Sequence, residues 1–229
     1  MEISFFTDNY MMYLEGILYT ISLTFGSLII GAAFALSLAI LKDSDIKIIK
    51  YSSRGFIFYF RGTPLLVQIY LIYSGLAQFS IINETFLWFA FSNAYFCVFL
   101  ALIFNTAAYG AEIIHGGIKA TSPGEIEVAK SFGFSKKQYF FKIIMPSVVR
   151  RILPAYTNET IFLMQATALA SVVGVVELTK VASILNSRFY APFEAFITAG
   201  VFYLALSYVI FLVARFLEKK FNRHLAVVV

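Results

Sequence analysis

Few side chains in this sequence are of a type and in a place to do chemistry, and the most prominent is Glu159. It stands in a long apolar run, about two turns into a helix if that helix starts near Arg151. An ionisable group at such a depth is costly, so it reads by default as a site. A carboxylate there suits an ammonium or guanidinium group. An interhelical pair or a polar contact near the helix start would explain it equally well. Asn158, Thr160, Gln165 and Thr167 belong to the same run. Asn158 and Gln165, seven residues apart, fall on one helical stripe. Glu159 and Gln165 share only a broad half of the helix.

Arg61 is the natural counter-charge. It sits in the segment Arg61-Gly62-Thr63-Pro64, where the proline disturbs a helix and frees backbone groups. It could clamp a substrate carboxylate, pair with Glu112 or Glu159, or touch lipid headgroups. Thr63 and Gln68 are candidates for lining the same path. Glu112, below Asn105 and Tyr109, reads as an ion-pair partner near that path. His115 and His224 read as ordinary surface residues. One cysteine, Cys97, and two histidines exclude a disulfide framework and offer no metal centre.

The elements that must position these groups are membrane-spanning helices. The chain has 229 residues, 60% hydrophobic and only 14% charged, against roughly 25% charged in soluble domains. Charge-free apolar runs predict five helices near 13–41, 56–79, 88–114, 152–176 and 195–217. Runs of this length are too long for tilted barrel strands. No Lys or Arg precedes Lys42, so the first run lacks the basic flank of a signal peptide. The expectation is an all-α polytopic membrane protein folded as one domain over 1–229.

Basic residues give the orientation. Fifteen of the eighteen lie in 42–54, 115–151 and 215–223. These segments fall on one side, which the positive-inside rule makes cytoplasmic. The N-terminus is then outside and the C-terminus inside, and the net charge of +5 is a topology signal rather than a nucleic-acid footprint. The acidic residues of the opposite loops, Glu84, Glu177 and Glu194 among them, read as solvated or as a docking face for a soluble partner.

The link 115–151 is long enough to have a job of its own. Ser122, Pro123 and Glu125 predict the start of one short helix and Gly133 its end. Ser135 and Gln138 predict a second helix, which Pro146 should halt. Ile126, Ala129 and Phe132 give the first helix an apolar stripe. Such a stripe fits a groove in another protein, or equally the underside of its own bundle.

Residues 127–146, EVAKSFGFSKKQYFFKIIMP, resemble the EAA loop of permease subunits of ATP-binding-cassette importers. Glu127, Ala129, Gly133, Ile143 and Pro146 match the pattern, while Val128 replaces an Ala and Met145 a Leu. The resemblance implies that this loop couples to a cytoplasmic ATPase, with Gly133 supplying the turn. The chain has no phosphate-binding loop of its own and no Gly-Lys pair. Residues 60–70 and 105–133 resemble polar amino-acid permeases. Residues 158–171 and 186–196 resemble the M-type subunits for histidine, lysine, arginine and ornithine. Gln165 departs from that pattern, in which Lys or His is common. The resemblance thus implies a non-enzymatic, cofactor-free permease in the bacterial inner membrane. Its partners would be ATP-binding subunits, a second permease subunit, identical or related, and an extracytoplasmic amino-acid-binding protein.

Overall fold

The computed structural model describes residues 3–221, and every regular element among them is helical. Helix α1, Ile3–Leu41, is followed by α2, Lys47–Gly62, and α3, Leu65–Tyr70. A π turn, Leu71–Gly75, and a 3-10 turn, Leu76–Gln78, prolong α3. Two single turns, Ser80–Asn83 and Trp88–Phe91, precede α4, Ala94–Lys119. Next comes α5, Pro123–Ser131, and then α6, Met145–Ala166, which a 3-10 segment, Thr167–Val173, extends. The chain closes on α7, Leu178–Phe189, and α8, Pro192–Phe221.

Three uninterrupted helices among the described residues are long and apolar enough to cross a membrane: Asn9–Leu41, Ala94–Lys119 and Pro192–Phe221. Two bent pairs bring the total to as many as five. The expected second span, 56–79, is not one helix. It is α2 and α3 meeting at 107°. Pro64 lacks the N–H that would continue the helix, and Thr63 before it is extended, with φ −113° and ψ 145°. The fourth pair bends by 45° at Gly174, where φ is +90°.

Helix α7 fills the segment 177–194, which the charge pattern gives only as a loop. Glu177 starts it and is fully buried rather than solvated. Its carboxylate accepts from the N–H of Thr179 at 2.9 Å and of Lys180 at 2.8 Å, and from the Tyr203 hydroxyl at 2.6 Å. Those amides are the unpaired donors that open a helix, and a buried carboxylate is tolerable because they pay its desolvation.

Small residues let the long helices approach. A Cβ on Gly31 of α1 would collide with the Thr106 methyl on α4. Around these contacts lie three apolar clusters. Leu23, Ile69, Leu102 and Leu163 join α1, α3, α4 and α6. Tyr13, Leu178, Leu185 and Ala199 join α1, α7 and α8. Ala35, Ile57, Ala111 and Ile114 join α1, α2 and α4.

Candidate functional site

The break between α2 and α3 opens a cavity of about 490 Å³. Its polar lining comes from three elements: Arg61 and Thr63 at the break, Asn105 and Tyr109 one turn apart on α4, and Glu159 on α6. Phe162, Leu163, Ala166 and Leu169 supply the apolar wall.

Gln68 makes the break tolerable. Its amide nitrogen lies 2.9 Å from the Phe60 carbonyl oxygen, 3.0 Å from that of Thr63 and 2.8 Å from Thr63 Oγ1. Asn105 Nδ2 donates to the same Phe60 oxygen at 3.2 Å and to Gln68 Oε1 at 3.4 Å. Carbonyls freed by a proline must find donors inside the protein when no water is at hand. Gln68 is therefore 2% exposed and committed to the backbone. It does not line the cavity.

The fourth-span candidates divide. Asn158 faces away from Glu159, into a separate space with Pro154, Arg215 and Glu218. Gln165 is exposed farther along the Asn158 stripe. Thr167 is fully buried and donates to the Met164 carbonyl oxygen at 2.6 Å. Glu159, Arg61 and Thr63 do come together.

Two residues beside Glu159 escaped sequence reasoning, Thr106 and Tyr156. Their hydroxyls are buried; that of Thr106 lies within hydrogen-bonding influence of the Glu159 carboxylate, and that of Tyr156 lies in the field of the same carboxylate. Tyr156 precedes Glu159 by one helical turn, and that spacing was the available signal. Its hydroxyl occupies the space that a side chain at Gly110 would need, 2.7 Å from an added Cβ.

Arg61 and Gly62 also line a second cavity of about 490 Å³, with Lys42, Arg54, Ile57, Phe58 and Glu112. Here Lys42 Nζ lies 2.5 Å from Glu112 Oε1, and Arg61 Nη1 lies 3.8 Å from the same oxygen. The Arg61 guanidinium also stands over the Tyr109 ring, 5.2 Å from its centre. Glu112 is thus an ion-pair partner at the edge of the path.

His115 is not a surface residue. It is 7% exposed, and its Nε2 lies 2.8 Å from Asp43 Oδ2. Arg54 reaches the other Asp43 oxygen at 3.4 Å and the Lys42 carbonyl oxygen at 3.2 Å. The His115 hydrogen bond, partly opposed by burial, holds the Asp43 carboxyl below its usual range. His224 lies outside the described residues.

In the link, α5 begins at Ser122 and Pro123, but the Ser122 side chain makes no capping bond. Gly133 has φ +76°, the left-handed turn expected of it. Ser135 and Gln138 cap each other reciprocally: the Ser135 N–H donates to Gln138 Oε1 at 2.9 Å, and the Gln138 N–H to Ser135 Oγ at 3.4 Å. Pro146 does not halt the helix. The turn Lys136–Tyr139 passes through a π turn, Phe140–Ile144, into α6, where Pro146 occupies the first turn. Val128 is 56% exposed and Phe132 76%. Glu127 and Pro146 are exposed and Ile143 partly so, while the side chain of Ala129 lies outside what the structure describes. Arg151 closes the base of the link, donating to the Gly117 carbonyl oxygen at 2.9 Å.

Comparison with known proteins agrees with this architecture. The family model described as "Binding-protein-dependent transport system inner membrane component" matches residues 31–223. The nopaline transport system permease protein of Agrobacterium fabrum is 38% identical over 226 residues, covering 98% of this chain and 94% of its own. The histidine/lysine/arginine/ornithine transport system permease protein of Escherichia coli K12 is 41% identical over 223 residues, covering 95% and 91%. A crystal structure of an amino acid ABC transporter with histidines superimposes with a TM-score of 0.85 at 33% identity, over 96% of this chain and 99% of that one. The chain belongs to the inner membrane components of binding-protein-dependent transport systems, and is a permease subunit rather than a catalytic one.

Proposed function

We propose that this chain is a permease subunit of an ATP-binding-cassette importer for basic amino acids. It works with cytoplasmic ATP-binding subunits, a second permease subunit and an extracytoplasmic binding protein. The observation that carries the cargo is Glu159, a carboxylate in a cavity otherwise lined by uncharged groups and Arg61. A cationic side chain entering there gains a charge-assisted hydrogen bond where little water competes. The cargo named for the Escherichia coli relative supports this reading.

The N-terminus lies outside and the C-terminus in the cytoplasm, as the basic links require. Residues 115–151 are then cytoplasmic. The exposed Val128 and Phe132, near Glu127, Ala129 and Gly133, seat in the ATPase, and Ile143 and Pro146 carry its movement into α6. Alternating access follows from closure of the ATPase rather than from any chemistry in this chain.

Reconstitution with the ATP-binding subunits and the cognate binding protein tests the reading. ATP-dependent uptake of arginine or lysine is expected. Glu159→Gln should lower uptake of basic amino acids about tenfold or more, the scale of one charge-assisted bond, with a smaller effect on neutral ones. No amino-acid uptake at all would overturn the importer assignment. Equal losses for basic and neutral cargo would remove Glu159 from cargo selection.

A further inference from the structure

We infer that Arg61 is a tethered competitor for the cationic cargo, moving between its place against Glu112 and Tyr109 and the place near Glu159 that cargo takes. This rests on the cargo reading above and assigns a specificity role to a second residue.

Three observations lead there. First, Arg61 lines both cavities, the one with Glu159 and the one with Glu112, so its side chain stands where the two meet. Second, neither carboxylate holds it firmly: no ion pair within 4.0 Å joins it to Glu159 among the described residues, and Glu112 is already engaged. Lys42 already sits 2.5 Å from Glu112 Oε1, while Arg61 Nη1 is at 3.8 Å from that same oxygen. A carboxylate already neutralised at short range has little left to attract a second cation. Third, the other face of the guanidinium is occupied by the Tyr109 ring at 5.2 Å, a weak and non-directional contact. The Arg61 side chain is 43% exposed.

A guanidinium with several weak partners and no strong one can move between them at little cost. It also carries the same charged group as an arginine cargo. While it stands near Glu159 it compensates a carboxylate that would otherwise be stranded in the bundle. Cargo must displace it, and Glu112 with Tyr109 offers the displaced group a resting place beside the path. The competition acts on cationic cargo alone, because a neutral side chain makes no claim on Glu159. It lowers affinity for a cation by the fraction of time that Arg61 occupies the site. For an importer this is useful, since a cation bound too tightly would not leave.

The test uses the solubilised complex of permease and ATP-binding subunits, without binding protein, and two probes: arginine and citrulline. Citrulline keeps the α-amino and α-carboxylate groups of arginine but replaces its guanidinium by a neutral ureido group. Arg61→Gln should tighten arginine binding about twofold or more, as expected if Arg61 fills the site for at least half of the time, and leave citrulline unchanged. Arg61→Lys keeps the charge and should stay near wild type for both. In a Glu159→Gln background the Arg61→Gln effect should vanish. If Arg61→Gln weakens both probes, Arg61 clamps the shared carboxylate and the proposal is wrong. Unchanged binding of both also overturns it. Should Arg61→Gln fail to assemble, Arg61→Met combined with Glu112→Gln is read by the same criteria. Failure of the cargo reading looks different: wild-type arginine binding that is absent, or indifferent to Glu159→Gln alone.

Discussion

The Gln68 side-chain nitrogen lies 2.9 Å from the carbonyl oxygen of Phe60, eight residues back and on the far side of a 107° bend. One side chain thereby supplies hydrogen bonds that a proline removed, and the cavity wall depends on it. Gln68→Leu keeps the volume but orphans the Thr63 carbonyl and leaves that of Phe60 to Asn105 alone. It should destabilise the permease by about 1–3 kcal/mol. Thermal unfolding of the detergent-purified protein measures this, and an unchanged Tm would mean that the bend is held by packing alone.

The contact of Gly31 with Thr106 is a backbone approach with no room for a methyl group. Gly31→Ala should cost about 1–3 kcal/mol through overpacking. Thr106→Ser deletes the opposing methyl and keeps the hydroxyl, so the double variant should recover much of the loss. A double-mutant cycle in unfolding experiments gives the coupling, and strict additivity would mean that the helices part rather than clash.

At Gly133, φ is +76° and open space surrounds the residue. Gly133→Val therefore strains the backbone without a steric clash, by about 1–3 kcal/mol. The strain falls on the link between α5 and the turn Lys136–Tyr139, outside the spans. Membrane insertion should be normal while co-purification of the ATP-binding subunits drops several-fold. Wild-type assembly and transport would remove the link from coupling.

Asp43 gives a pH signature. Its carboxyl is held below the usual range, chiefly by His115. A depressed carboxyl contributes stability above its unfolded value, about 3.9, and loses it as the pH falls through the lower folded value. The Tm difference between wild type and Asp43→Asn should persist from pH 8 to pH 5 and shrink below about pH 4. A difference that grows on acidification would contradict this.

Much of the bundle was legible because lipid imposes a simple rule: long uncharged runs must be helices. That rule located α8 and the end of α1 to within a few residues, but it began α1 about ten residues late and set α4 about five residues too early. It was silent on α7, whose Lys180 and Arg188 interrupt the apolar pattern, and it misread Glu177 because a buried N-terminal carboxylate looks like a loop acid in sequence. Pro64 announced a disturbance, but its angle depends on what Gln68 and Asn105 can reach, and no spacing encodes that. Glu159 and Arg61 stood out as isolated charges. Thr106 and Tyr156 did not, since hydroxyls are common on membrane helices and only three-dimensional neighbours single them out. Pro146 was misjudged because a π turn, which adds a residue to one turn, leaves no mark in composition.

That π turn, Phe140–Ile144, has a consequence for lineages that gain or lose residues here. Removing one residue from it would restore an ordinary α turn and leave both neighbouring helices intact. Everything upstream would keep nearly the same orientation about the helix axis, because five residues of π turn sweep about the same angle as four of α-helix. A single codon in this stretch is thus a spare link, gained or lost while Val128 and Phe132 keep their direction and the transmembrane packing stays as it was.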